Sequence, residues 1–226
     1  MKIVNITPIS LIDFPGKIAS VIFLEGCSLR CPYCFNYSIL MPEKDRIYIT
    51  ESEMFYELDE NSRFIDGVVF TGGEPTINED LPEILRELYA DGYIIKLDTN
   101  GTRPDMTDRC FPYVDYIAMD VKSDKKGYLK LGASNLDVQN IVRSIKNLIN
   151  GKRDYEFRIT AIYPFVNDDN IDNIGKLITG AKKTFLQRGR LESVLDPSVE
   201  MRVHNDAKLE EYATILRKYV SNVEIR

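Results

Sequence analysis

The chain reads Ala19-Ser-Val-Ile-Phe-Leu24, then Glu25-Gly26, and then Cys27-Ser-Leu-Arg-Cys31-Pro-Tyr-Cys34. The first segment is short, continuous and apolar, which is typical of a strand buried on both faces of a parallel sheet. A polar loop directly after such a strand lies at its carboxyl end, where α/β proteins carry their functional residues. We therefore expect an α/β fold with a functional loop at residues 27–34.

Short apolar runs and amphipathic stretches continue to alternate along the chain. Further strands are predicted at Gly67–Thr71, Tyr93–Asp98, Tyr116–Val121, Phe157–Tyr163 and Thr184–Gln187. Helical spacing of apolar residues separates them, over residues 50–58, 79–90, 138–149 and 206–220. Strands joined by helices indicate right-handed βαβ units in a parallel sheet. About six strands are too few to close an eight-stranded barrel, so an open, incomplete barrel and a doubly wound sheet both fit.

The composition excludes several classes of function. With His204 as the one histidine among 226 residues, sites built from two or three imidazoles are excluded. The formal net charge of −6 argues against a nucleic-acid partner, because binding phosphates requires a basic face. No signal peptide and no membrane-spanning run is visible. We expect a single domain over residues 1–226, located in the cytoplasm and with no membrane partner.

Three of the four cysteines, Cys27, Cys31 and Cys34, fall within eight residues, whereas Cys110 stands apart. Three thiolates so close cannot all form disulfides, and three soft ligands indicate a metal. Zinc with three cysteines would take its fourth ligand from distant Cys110 or His204. An iron–sulfur cluster with one iron free of protein ligands is a second interpretation, and buried inert cysteines are a third. Cys110 is interpreted as a structural residue.

Polar motifs also follow three of the other predicted strands. They are Thr71-Gly-Gly-Glu-Pro75, Asp98-Thr-Asn-Gly101 and Met119-Asp-Val-Lys122. Paired glycines let a backbone approach a ligand closely, and residues two apart on a strand, such as Asp120 and Lys122, point to the same face. Each motif alone is an ordinary turn or a solvated ion pair. Their coincidence at strand ends predicts that they serve one site.

The pattern Cys-x3-Cys-x-Tyr-Cys resembles the signature of the radical S-adenosylmethionine (SAM) enzymes. This resemblance implies an incomplete, open parallel (β/α)6 barrel of the radical SAM type. It also implies a 4Fe–4S cluster on Cys27, Cys31 and Cys34, with SAM on the fourth iron. One electron then cleaves SAM into methionine and a 5′-deoxyadenosyl radical that abstracts hydrogen. Tyr33 matches the aromatic residue that the family sets beside the adenine.

The remaining motifs resemble those of glycyl-radical-enzyme activases, the group of the pyruvate formate-lyase activating enzyme. The resemblance implies that Gly72, Gly73 and Glu74 bind the SAM amino group. It also implies that Asp98, Thr99 and Asp120 help to hold a monovalent cation beside the SAM carboxylate. Lys122 meets that carboxylate in the same scheme, and Arg158 is a further SAM contact; a charged residue at a strand edge is the alternative interpretation of Arg158.

The segment Leu11-Ile-Asp-Phe-Pro-Gly-Lys17 is a turn signal, and it resembles the opening of activating proteins for anaerobic ribonucleoside-triphosphate reductase. We therefore expect an oxygen-sensitive enzyme of anaerobic metabolism that installs a glycyl radical on a partner, with that reductase as the favoured one. The resemblance further implies flavodoxin or a ferredoxin as the reductant. Two alternatives stay open: a radical SAM enzyme for a small molecule, such as a deazapurine-forming synthase, and a non-enzymatic metal-binding module. The shortness of the chain favours a protein substrate.

Overall fold

A computed structural model describes the whole chain, from Met1 to Arg226. The chain folds as two compact units that alternate along the sequence. The first unit comprises residues 1–28, 38–99 and 105–117, and the second comprises residues 29–37, 100–104 and 118–226. The assignment of residues 1–226 to a single domain stays a prediction.

The sheet of the first unit has the strand order β1-β2-β3-β4. Its strands are β1 (Ile3–Phe14), β2 (Lys17–Leu24), β3 (Gly67–Gly72) and β4 (Ile94–Thr99). A tight turn at Pro15-Gly16 makes β1 antiparallel to β2, and Gly16 adopts a φ of +68° that favours glycine. Strands β2, β3 and β4 are parallel. The helices are α1 (Glu51–Asn61), α2 (Leu81–Ala90) and α3 (Pro104–Cys110).

The sheet of the second unit has the strand order β5-β6-β7-β9. Its strands are β5 (Tyr116–Asp120), which starts in the first unit, β6 (Asp154–Tyr163), β7 (Lys183–Arg188), β8 (Arg202–Val203) and β9 (Asn222–Ile225). Strands β6, β7 and β9 are parallel, and the two residues of β8 pair antiparallel to β6. The helices are α4 (Lys125–Lys130), α5 (Asn135–Asn150), α6 (Ile171–Leu177) and α7 (Asp206–Leu216).

The burial of the strands and helices matches the pattern of apolar residues in their sequences. Val68, Val69 and Phe70 of β3 are all fully buried, as expected for a strand covered on both faces. The stripe Leu81, Ile84, Leu85 and Leu88 of α2 is buried as well. Helix α1 begins after Thr50, whose hydroxyl accepts from the N–H of Glu53 in a complete capping box. None of the helices is both long and apolar enough to cross a bilayer.

The predicted fold class, α/β with a mostly parallel sheet, is confirmed, and all six predicted strands are present as β2 to β7. The turn predicted over Leu11–Lys17 was too long. Strand β1 continues to Phe14, and the turn is confined to Pro15-Gly16. Strands β1, β8 and β9 were not predicted. The two short strands β8 and β9 have two and four residues, too few for a recognisable pattern.

Candidate active site

The cysteine loop follows the carboxyl end of β2, as predicted. Cys27 belongs to the first unit, and Cys31 and Cys34 belong to the second. Cys31 is buried, whereas Cys27 and Cys34 are half-buried, and none of the cysteines forms a disulfide. The N–H of Cys34 donates to the carbonyl oxygen of Cys31 over 3.0 Å, which closes a tight turn between them. The structure thus keeps all three loop sulfur atoms out of disulfides.

The two residues that could complete a zinc site are engaged elsewhere. Cys110 is fully buried at the end of α3, and this burial raises the pKa of its thiol to about 12, so that it stays protonated. The His204 ring hydrogen-bonds through Nε2 with the carbonyl oxygen of Val166, over 2.8 Å, and meets Tyr212 edge-on. The structure holds no group of three or more His, Cys, Asp and Glu side chains spaced for one metal ion.

The Gly-Gly-Glu-Pro motif continues β3 into a loop packed against the end of β2. The N–H groups of Gly73 and Glu74 donate to the carbonyl oxygens of Leu24 and Gly26, over 2.9 and 2.8 Å. A Cβ on Gly73 would lie 1.8 Å from the carbonyl oxygen of Gly26, and Gly72 has a φ of +115°. Both positions therefore require glycine, and they keep the backbone of this loop close to the residue before Cys27.

The Glu74 side chain is fully buried and joins two of the predicted motifs. Its Oε1 accepts from the hydroxyl and the N–H of Thr76, over 2.5 and 3.2 Å, and from the Thr99 hydroxyl, over 2.8 Å. Asp98, on the same strand as Thr99, accepts from the Thr71 hydroxyl over 3.2 Å and forms an ion pair with Lys96. The structure thus links Glu74 with Thr99 and Asp98 with Thr71, so that each contact joins the loop after β3 or its last residues to the end of β4.

In the second unit, Asp120 is bracketed by two cations. Its carboxylate accepts from Lys122 Nζ over 3.1 Å and from Arg158 Nε over 2.8 Å. Burial alone would raise the pKa of Asp120, but the charges of Arg158 and Lys122 outweigh it and lower that pKa to about 2. For Lys122, burial favours the neutral amine, yet the facing Asp120 carboxylate raises its pKa above the ordinary value. The cluster carries two positive charges and one negative charge.

Tyr33 packs its ring on Phe165, with the ring centroids 5.3 Å apart, and is 6% exposed. Its hydroxyl is buried without any hydrogen-bond partner. Such an unpaired group costs free energy unless a ligand satisfies it. An unpaired hydroxyl in the same unit as the Asp120, Lys122 and Arg158 charges fits a ligand that carries both polar and charged groups, as SAM does.

Sequence reasoning missed two residues of these clusters. Lys96 is 2% exposed and pairs with Asp98. The sequence signal for this pair was the spacing of two residues along β4, which puts both side chains on one face of the strand. Tyr128 of α4 is 1% exposed, and its hydroxyl binds the backbone at Lys122. No sequence pattern indicated this contact, because it depends on how α4 packs after β5.

Comparison with known proteins gives three findings. The family model described as the radical SAM superfamily matches residues 21–178. A protein of Methanocaldococcus jannaschii named for glycyl-radical enzyme activation is 31% identical over 98% of this chain and 94% of its own. The pyruvate formate-lyase-activating enzyme of Clostridium pasteurianum is 28% identical over 65% of this chain and 64% of its own.

A solved structure gives the same result for the fold. It is a domain of the pyruvate-formate lyase-activating enzyme from Bacteroides vulgatus, with a TM-score of 0.57 and 20% identity. The match covers 71% of this chain and 98% of that domain. At this level of identity, the similarity supports the fold and leaves the chemistry to the site residues.

Proposed function

Because the chain belongs to the radical SAM superfamily and, within it, to the glycyl-radical-enzyme activating enzymes, we propose that it cleaves SAM reductively and installs a glycyl radical on a partner enzyme. The observation that carries this proposal is the loop of Cys27, Cys31 and Cys34, three thiols within eight residues directly after β2. Three thiolates are the ligand set of a cluster that keeps one iron open.

The site residues have the following proposed roles. Cys27, Cys31 and Cys34 hold a 4Fe–4S cluster, and with SAM bound this cofactor pair supplies the electron and the carbon radical for hydrogen abstraction. The loop of Gly72, Gly73 and Glu74 binds the SAM amino group, and its close packing against Leu24 and Gly26 fixes the backbone of this loop. This assignment places recognition of the SAM amino group at the end of β3.

Charged and aromatic residues complete the proposed SAM site. Lys122 faces the SAM carboxylate, which a fixed ammonium charge stabilises. Arg158, which pairs with the Asp120 carboxylate, is proposed as a further contact of SAM. Tyr33 lies beside the adenine, where its unpaired hydroxyl gains a hydrogen-bond partner. Asp98, Thr99 and Asp120 are proposed to hold a monovalent cation, since their oxygens are ligands that suit hard cations.

We propose anaerobic ribonucleoside-triphosphate reductase as the partner. Support comes from the Leu11–Lys17 segment, which resembles the opening of activating proteins for that reductase. We further propose flavodoxin or a ferredoxin as the electron donor and the cytoplasm as the location. All of residues 1–226 are proposed to act as one radical SAM domain, although they fold as two units.

The first experiment tests the cluster and its chemistry. The protein is reconstituted anaerobically with iron and sulfide, and cluster absorbance and SAM cleavage under strong reductant are measured. Alanine at Cys27, Cys31 or Cys34 should abolish the absorbance, whereas Cys110→Ala, the matched control, should retain it. Loss of the cluster in Cys110→Ala would contradict the ligand assignment, and no SAM cleavage by the wild type would contradict the proposed activity.

A second experiment tests the partner. The reconstituted enzyme, SAM and reductant are mixed with an anaerobic ribonucleoside-triphosphate reductase from the same organism, and electron paramagnetic resonance monitors a glycyl radical. A radical that requires SAM supports the proposal. SAM cleavage without any radical on the reductase would contradict this partner, and would favour another glycyl radical enzyme or the small-molecule alternative.

A further inference from the structure

The hydroxyl of Tyr128 is hydrogen-bonded to both ends of the segment from Asp120 to Lys122. The N–H of Lys122 donates to it over 2.9 Å, and the hydroxyl in turn reaches the carbonyl oxygen of Asp120 over 3.5 Å. Tyr128 is 1% exposed, so this contact lies in the protein interior. One side chain therefore holds the backbone that carries both charged residues.

The backbone needs such a partner because β5 ends at Asp120. The N–H of Val121 still donates to the carbonyl oxygen of Arg158 on β6, over 2.8 Å. Consecutive residues of an extended chain direct their backbone groups to alternate sides, so those of Asp120 and Lys122 face away from β6. Buried backbone groups without a partner are costly, and the Tyr128 hydroxyl supplies both a donor and an acceptor.

Helix α4 holds Tyr128 in a defined place. The Asp124 side chain caps the helix by accepting from the N–H of Gly127 over 2.8 Å. A Cβ on Gly127 would lie 1.8 Å from the Ser123 hydroxyl, which donates to the carbonyl oxygen of Phe165 over 2.6 Å. This close packing fixes the start of α4 directly after the segment that Tyr128 holds.

The charge state of Tyr128 suits this double contact. Burial is the main cause that raises the pKa of its phenol above the ordinary value, so the group stays a neutral hydroxyl at any working pH. A neutral hydroxyl can donate and accept at the same time, whereas a phenolate could only accept.

We propose that Tyr128 is a positioning residue for SAM: its hydroxyl fixes the backbone at residues 120–122, so that the Lys122 ammonium is held where the SAM carboxylate binds. The inference rests on the proposed function, because Lys122 and Asp120 matter to SAM only if the chain binds it. Tyr128 itself touches neither SAM nor the cluster in this scheme. It acts through the segment it holds.

The test compares Tyr128→Phe with Tyr155→Phe. Tyr155 is the matched control, because it is also buried in the second unit and its hydroxyl also accepts from a backbone N–H, that of Lys182 over 3.2 Å. SAM affinity of the reconstituted proteins is measured by calorimetry, and the change of the cluster's electron paramagnetic resonance spectrum on SAM addition is recorded. Both variants should bind iron like the wild type.

Tyr128→Phe should weaken SAM binding about tenfold and raise KM more than it lowers kcat, as expected when one positioning hydrogen bond is lost. The SAM-induced spectral change should require correspondingly more SAM, whereas Tyr155→Phe should match the wild type. A folded Tyr128→Phe protein that binds SAM like the wild type would overturn the inference. A wild type that binds no SAM would instead overturn the proposed function.

Two further measurements test the link between the Tyr128 hydroxyl and Lys122. In a Lys122→Met background, Tyr128→Phe should change SAM affinity less than about twofold, because the ammonium group that Tyr128 positions is gone. A loss of SAM affinity as large as the one that Tyr128→Phe causes when Lys122 is present would overturn the inference. If Tyr128→Phe fails to fold, the hydrogen-exchange rate of the Lys122 amide is measured in the wild-type protein instead. Protection no greater than at the Lys126 amide would then count against the proposal, and strong protection would support it.

Discussion

The N–H of Glu74 donates a hydrogen bond to the carbonyl oxygen of Gly26 over 2.8 Å, and so ties the loop after β3 to the residue before Cys27. Gly73, next to Glu74, lies against the same carbonyl group, and no side chain fits between them. The cysteine loop and the Gly-Gly-Glu-Pro motif thus begin from one packed junction of two parallel strands. Changes at this junction should affect both motifs together.

We expect Gly73→Ala to lower the free energy of unfolding by about 3 kcal/mol, because a Cβ there would overlap the Gly26 carbonyl oxygen. Gly92→Ala is the comparison: Gly92 has a φ of +90° but open space around it, so only backbone strain of about 1–2 kcal/mol applies. Urea unfolding of both variants measures the difference. A smaller loss for Gly73→Ala than for Gly92→Ala would contradict the packing argument.

Tyr33→Phe should leave the stability of the protein without cofactors unchanged or raise it by about 1 kcal/mol, since it removes a buried hydroxyl that has no partner. The same variant should bind SAM about tenfold more weakly after reconstitution, because the hydroxyl's partner is then lost. Thermal unfolding and calorimetry measure the two effects.

Tyr219→Phe is the control for that prediction. The Tyr219 hydroxyl donates to Asp172 over 2.6 Å, so its removal should lower stability and leave SAM affinity unchanged. If Tyr33→Phe behaved like Tyr219→Phe, the Tyr33 hydroxyl would have a partner within the protein and no role towards a ligand.

Asp120→Asn should lower the free energy of unfolding by roughly 2 kcal/mol at neutral pH, because Lys122 and Arg158 would lose the carboxylate they share. Asp169→Asn is the matched control in the same unit: Asp169 is exposed and forms no ion pair, so its change should stay within about 0.5 kcal/mol. Chemical denaturation of both variants and the wild type measures these values.

The contribution of Asp120 should also depend on pH in a defined way. Its pKa is lowered from 3.8 to about 2 in the folded protein, so its stabilisation is fully present above the unfolded value and is lost as the pH falls through about 2. The stability difference between the wild type and Asp120→Asn should therefore be constant from neutral pH down to about pH 5 and shrink below about pH 4. A difference that already shrinks at neutral pH would contradict this.

Thiol alkylation should separate the cysteines of the protein without its cluster. Cys27 and Cys34 are half-buried and should react with iodoacetamide at about pH 8, and the Cys34 rate should still rise above pH 9 because burial raises its pKa from 9.0. Cys110, fully buried with a pKa of about 12, should react only after denaturation. Peptide mass spectrometry measures the extent at each position.

Reconstitution with iron and sulfide supplies the control for the alkylation experiment. Cys27 and Cys34 should become protected, and Cys110 should stay unreactive until the protein is denatured. Continued reaction of Cys27 or Cys34 in the reconstituted protein would mean that the cluster ligands were assigned to the wrong thiols.

Sequence reasoning recovered the six strands β2 to β7 because each is a short apolar run between amphipathic helices. It missed β1 because that strand lacks regular alternation. Its pairing with β2 shifts register at several points, and Leu11 and Ile12 are 72% and 89% exposed. An edge strand of this kind carries too little hydrophobic pattern to be distinguished from a loop.

The candidate site was predicted in its motifs but not in its contacts. The spacing of Cys27, Cys31 and Cys34 is a property of neighbouring residues. The pairing of Asp120 with Arg158, in contrast, joins residues 38 positions apart. It exists because β5 and β6 are neighbours in the sheet, which no local pattern specifies.

The amino-acid sequence alone was enough to predict the six strands β2 to β7, helix α1 and the polar motifs at strand ends. Each of these depends on residues within a few positions of one another. Packing determined the rest. Lys96 faces Asp98 inside the protein, the Tyr33 hydroxyl is buried without a partner, and Tyr128 holds the backbone at Lys122. These three relationships depend on burial and on how neighbouring elements pack, which are decided only in the folded protein.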